Sequence, residues 1–105
     1  MIYPQPRPTS RAALKRRTRR LRNQQIGTVR VAVFAREHQV CRCCKQARAT
    51  DLHEIIYRSH GGAISEQNSI AICRRCHRDI HAKRLTILGT DANSALGFYV
   101  KGAVQ

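Results

Sequence analysis

The sequence predicts a small α+β domain: a long-looped β-hairpin followed by a helix, held by a four-cysteine cluster. A further helix and a disordered basic N-terminal arm precede this core. Three observations carry that prediction. Two Cys-x-x-Cys pairs, Cys41 with Cys44 and Cys73 with Cys76, bracket the segment 45–72. Within that segment two β-prone runs flank a Gly61-Gly62 pair, and after it His77 and His81 fall one helical turn apart.

Each element can be justified in order. Residues 1–25 contain Pro4, Pro6 and Pro8, then Arg11, Lys15, Arg16, Arg17, Arg19, Arg20 and Arg22, with no acidic residue among them. That composition cannot bury apolar surface and reads as a flexible arm, while residues 26–105 read as the folded domain. Residues 28–38 (TVRVAVFAREH) suit a short helix capped by Thr28, although their alternating β-branched residues also suit a strand. Residues 50–57 and 69–72 form the expected hairpin, and residues 74–83 the helix that closes a core spanning 41–84. Two further runs, 85–88 and 98–101, resemble a terminal hairpin within 85–101.

The chain has 105 residues and only five aromatics (three Tyr, two Phe), so its apolar core is thin and a cross-link of some kind is expected. Its 20 Lys and Arg against 6 Asp and Glu give a formal charge of +14, a balance that attracts polyanions and makes nucleic acid the natural partner. A membrane is excluded as partner: there is no extended apolar face, and the longest apolar run, 31–35, cannot span a bilayer. The N-terminus has no apolar stretch of signal-peptide length, which points to a reducing cytoplasm. Five cysteines, an odd number, in that setting favour metal thiolates over disulfides.

Two turns that each offer two thiolates make the tetrahedral geometry of a structural zinc site, so Cys41, Cys44, Cys73 and Cys76 are its expected ligands. Cys43 breaks the shared spacing and is the spare thiol. The segment between the pairs is longer than a zinc-ribbon gap and should itself be folded. It holds His53, in LHEI, and Asn68, which opens NSIAIC; CHRDIH follows with His77 and His81.

In this order of residues the segment Cys41–His81 resembles the HNH endonucleases, members of the ββα-metal (His-Me finger) nucleases, in their zinc-stapled bacterial and phage forms. The resemblance implies a metal-dependent DNA endonuclease, a hydrolase that nicks or cuts phosphodiester bonds. It implies that His53, His77 and His81 hold a catalytic divalent cation (Mg2+, Mn2+, Ni2+ or Zn2+) and that Asn68 ties the hairpin loop together. One position departs from the family. Where a histidine usually serves as general base, this chain has Glu54, which can accept a proton from an attacking water. His60 as base, Glu54 as a supporting ligand, and a nuclease without activity are the alternatives. Because adjacent strand residues face opposite sides, His53 and Glu54 can share a site only where the strand twists or ends.

Phosphate contacts are expected from Arg58, Arg74, Arg75 and Arg78 beside the site and from Arg16, Arg17, Arg19 and Arg20 in the arm. The family's roles span homing, restriction, phage packaging and toxins; other phage packaging or repair proteins are the further partners this suggests, in a bacterial host cytoplasm if the chain is phage-encoded. No dimerisation signal stands out, so a monomer or weak dimer is expected. Two competing readings explain the cysteines and the charge: a non-catalytic zinc-containing nucleic-acid-binding accessory protein, and a basic structural or ribosome-associated protein. Neither accounts for three histidines and an asparagine at nuclease spacing.

Overall fold

A computed structural model describes residues 10–102. The order is a long helix α1 (Arg11–Arg36), strand β1 (Asp51–Glu54), a single 3-10 turn (Arg58–His60), strand β2 (Ser69–Ile72), helix α2 (Arg74–His81), and strands β3 (Leu85–Leu88) and β4 (Gly97–Val100). Each strand pair is an antiparallel two-stranded sheet; β1 meets β2 with His53 opposite Ile70 and Glu54 opposite Ser69.

Helix α1 corrects two expectations. It starts at Arg11 rather than Thr28, so residues 11–25, read above as arm, form its first turns; Pro4, Pro6 and Pro8 lie outside the described residues. The helix formers Ala12, Ala13, Leu14 and the arginines favour this state, and the Ser10 side chain caps it by accepting from the Ala13 N–H at 3.1 Å. Thr28 is therefore not a cap. It sits mid-helix, and its hydroxyl donates back to the Gln24 carbonyl at 3.1 Å. The helix ends where His38 and Gln39 take left-handed backbone angles (φ 57° and 63°), which turns the chain toward Cys41.

Strand β2 is the centre of the molecule, with all four residues buried. Its period of two divides the core: Ile70 and Ile72 pack with Cys41, Cys73, Cys76, Leu85 and Ala92, while Ala71 packs with Val29, Val33, Phe34 and Ala49. One face of β2 therefore holds the cysteines and the other receives α1. Full burial of each Val or Phe side chain contributes about 1.5–3 kcal/mol. The terminal hairpin β3–β4, for which sequence suggested no purpose, covers the cysteine side through Leu85, Ile87 and Phe98.

Two half-buried arginines pin the segment 92–94. Arg36 donates to the carbonyls of Glu66 and Ser69 (both 2.7 Å) and to Asn93 Oδ1 (3.2 Å), and Arg42 donates to the carbonyls of Ala92 and Ser94 (both 2.9 Å). Both guanidiniums pair with the carboxylate of Glu37, at 3.1 and 3.0 Å. No helix among the described residues is long and apolar enough to cross a membrane.

A four-thiol cluster and a three-histidine cleft

Sequence placed the four cysteines in two turns, and the structure brings their sulfurs together. The Sγ atoms of Cys41, Cys44, Cys73 and Cys76 all lie within 4.8 Å of one another, and the group could hold a structural zinc. The first turn is a knuckle in which the Cys44 N–H points at Cys41 Sγ (3.4 Å) and Lys45 adopts a left-handed φ of 59°. The second is the start of α2: Cys73 is its N-cap and Cys76 sits in its first turn.

The electrostatics fit a cation. Backbone N–H groups of Ala47 and Gln46 hold the Cys44 thiol down to about 6, whereas burial and the neighbouring Cys73 and Cys41 push the Cys76 thiol up. Four sulfurs crowded this closely cannot all ionise without a positive charge between them. Cys43 stands outside the four, its thiol pushed up chiefly by burial.

Helix α2 serves a second group from its other side. Because His77 and His81 are one turn apart, both side chains project from one face, and β1 supplies His53 opposite them. Ring centroids are 5.2 Å apart for His53 and His77, 5.6 Å for His53 and His81, and 4.6 Å for His77 and His81. One ring nitrogen from each lies within 4.8 Å of the others, so these three could also hold a metal ion. His77 and His81 bring Nε2 to Nε2 at 2.9 Å. Two lone pairs that close repel unless a proton or a cation lies between them.

His53 is buried, and burial, followed by the charges of His77 and His81, lowers its pKa to about 4. It is therefore neutral near neutral pH, with a lone pair free for a Lewis acid. His77 is oriented by a residue that sequence reading missed. Its Nδ1–H donates to Asp51 Oδ2 at 2.8 Å, which turns Nε2 toward the cluster. Burial works against the Asp51 carboxylate, but hydrogen bonds from His77, Arg74 and Thr50 outweigh it and hold the group at about 2. The pairing register could have shown this, since Asp51 and His53 sit two apart on one strand and so share a face.

His53 and Glu54 both line a cleft of about 560 Å³, with Ile26, Arg30, Tyr57, Arg58, His77 and His81 among the other walls. They can share it because β1 ends at Glu54. Glu54 Oε1 pairs with Arg58 at 3.2 Å, and Oε2 is buried without a protein partner. His60 lies instead in an adjoining groove with Ile80 and Ile87. Arg74 is committed to Asp51 (3.0 Å), and Arg75 and Arg78 are exposed on α2 away from the cleft walls.

The loop between β1 and β2 is closed by Asn68. Its Oδ1 accepts from the Ile56 N–H (2.8 Å) and its Nδ2 donates to the carbonyls of Ile56 (2.8 Å) and Ala63 (2.9 Å). Gly61 has φ 89°, which favours glycine, and a Cβ on Gly62 would collide with the Ile56 carbonyl, so that position requires glycine.

No curated protein and no solved structure matches the chain. Residues 41–83, which contain the four cysteines, the three histidines and Asn68, match the family model described as HNH endonuclease.

Proposed function

We propose that the protein is a metal-dependent DNA endonuclease whose structural zinc sits on Cys41, Cys44, Cys73 and Cys76 and whose catalytic divalent cation sits on His53, His77 and His81. The observation that carries the reading is the convergence of three imidazoles, one of them buried and neutral, within a cleft that Glu54 also lines. A cation held by these three histidines would supply charge stabilisation to the phosphate and to the leaving 3′ oxygen.

The chain's own residues do the rest. The Glu54 carboxylate orients and deprotonates the attacking water, and the Arg58 guanidinium, 3.2 Å from Oε1, holds that carboxylate in place. Asn68 fixes the loop that carries Arg58, and Asp51 holds His77 in the tautomer whose Nε2 faces the cleft. Arg58 and Arg30 meet the backbone phosphates nearest the scissile bond, with Arg75 and Arg78 reachable on the exposed side of α2. Arg19 adds a contact along α1, and Arg16, Arg17 and Arg20 add positive charge around it.

Cleavage of supercoiled plasmid with magnesium, manganese, nickel or zinc tests the reading. Replacing Glu54 by Gln is expected to slow cleavage by about 10²- to 10⁴-fold while metal affinity stays near wild type. A rate unchanged by this substitution removes Glu54 as base, and a parallel fall in metal affinity makes it a ligand instead. Replacing Asp51 by Asn is expected to weaken metal binding at the histidines by about 10- to 100-fold, measured by isothermal titration with the thiolate zinc in place. Equal affinity in the variant would mean that His77 is oriented without the carboxylate.

The substitution of the usual histidine by Glu54, and its pairing with Arg58, favour one rival: a zinc-containing nucleic-acid-binding accessory protein without catalysis. It predicts DNA binding with intact plasmid under every metal.

A further inference from the structure

The apolar stripe that seats α1 on the body is Val33, Val29 and Ile26, stepping back by four and three residues. The same steps continued toward the N-terminus reach Arg22, Arg19, Lys15 and Arg11. The face that is apolar over the body thus becomes predominantly basic where the helix leaves it, with Leu14 and Thr18 beside the four cations. Every one of these four side chains is exposed, as is nearly all of residues 11–25. Arg11, Lys15, Arg19 and Arg22 also line one shared surface depression.

This stripe is joined to the cleft. Ile26 and Arg30, at the point where burial of α1 begins, form part of the wall around His53, Glu54, His77 and His81. Nucleic acid held with one phosphate in the cleft and running out past Ile26 therefore passes along Arg22, Arg19, Lys15 and Arg11 in turn.

We propose that the stripe Arg11, Lys15, Arg19 and Arg22 is a docking rail for duplex DNA, extending the binding site to one side of the cleft. Charge complementarity selects the occupant, since the extension carries no acidic residue and a duplex bears about one negative charge per 1.7 Å of axis. At about 1.5 Å per residue, residues 11–25 reach about 22 Å, the length of roughly 6–7 base pairs. Arg16, Arg17 and Arg20 point off the stripe and contribute as a diffuse charge only. The inference rests on the DNA-binding half of the function proposed above and not on its chemistry.

The test compares two charge-matched variants of the full zinc-loaded chain, K15Q/R19Q/R22Q on the stripe and R16Q/R17Q/R20Q off it. Glutamine keeps helix propensity, and all six positions are exposed, so both variants should fold. Affinity for duplexes of 8–30 base pairs is read by fluorescence anisotropy across salt, without added divalent metal. Loss of three phosphate contacts should lower the slope of log affinity against log salt by about 2.7 for the stripe variant, against less than about 1 for the other. Wild-type affinity should keep rising over about 6–7 more base pairs than that of the stripe variant before levelling off.

Equal slope losses in the two variants would overturn the rail in favour of diffuse attraction. A dimer seen by light scattering and lost in the stripe variant, with the salt slope unchanged, would overturn it in favour of self-association. A wild-type protein that shows both expected differences yet cuts no plasmid leaves the rail standing and removes the nuclease. One that cuts plasmid while the variants share a slope does the reverse.

Discussion

Removing zinc from the purified protein is expected to unfold residues 41–102 and to abolish cleavage in the same step. Structural zinc binding in small peptides is worth about 10–16 kcal/mol at neutral pH, against a typical domain stability of about 5–15 kcal/mol. The buried residues here leave little to replace it: the cluster around β2 is cysteines from two turns and a few aliphatic side chains, with Ile70 and Ile72 the largest fully buried. Helix α2, at eight residues, is too short to persist without packing. It also carries Cys76 on one side and His77 and His81 on the other, so losing the thiolate ion should scatter the imidazoles as well. A chelator titration followed by two-dimensional amide NMR reads this directly: the dispersed signals of Ile70 and Ile72 should collapse, with one zinc released per chain. Cys73→Ser should behave likewise. Retention of those signals in metal-free protein would show that the apolar core folds alone, and would leave the cysteines with some other task.

The parts of this arrangement that sequence reading reached were those fixed by short spacings. Cys41 and Cys44, Cys73 and Cys76, and His77 and His81 each lie within one turn, so local geometry alone brings each pair together. The joining of the pairs needed the hairpin, which the Gly61-Gly62 loop and the β-prone runs signalled well enough to give the bounds of β2. The extent of α1 was hidden because residues 11–25 gain nothing from burial, and a run of like charges with nearby prolines reads as chain rather than helix. Its propensity lies in the stems of Arg, Lys, Leu and Ala, which composition-based reasoning discounts. Asp51 and Arg30 were missed for a different reason. Their partners, His77 and Thr50, are distant in sequence, and an aspartate at the start of a strand or an arginine on a helix is ordinary until the fold sets it beside a ligand or a cleft.

If the proposed function holds, substituting His53 by Ala is expected to slow cleavage by about a hundredfold to a thousandfold or more, while DNA binding and the thiolate zinc persist. The size follows from what the ring does. A Lewis acid at a phosphoryl oxygen is worth several kcal/mol, and about 3–4 kcal/mol corresponds to that loss. Of the three imidazoles, His53 is the one held neutral by burial and the one supplied by the strand, so without it His77 and His81 offer a cation only a single helix face. Its burial also creates a complication, because truncating a buried ring leaves a cavity beside Tyr57 and could loosen β1. His81 answers this. It is exposed, so His81→Ala removes a ligand without opening the core, and it should also depress cleavage while leaving thermal unfolding near wild type. Plasmid nicking, zinc content and duplex affinity measured on both variants then separate the readings. An accessory protein would lose nothing measurable in DNA affinity and would have no metal-dependent cleavage to lose. A nuclease would lose cleavage in both variants, and excess divalent cation would restore more of it to the variant whose remaining pair of imidazoles still spans β1 and α2, namely His81→Ala.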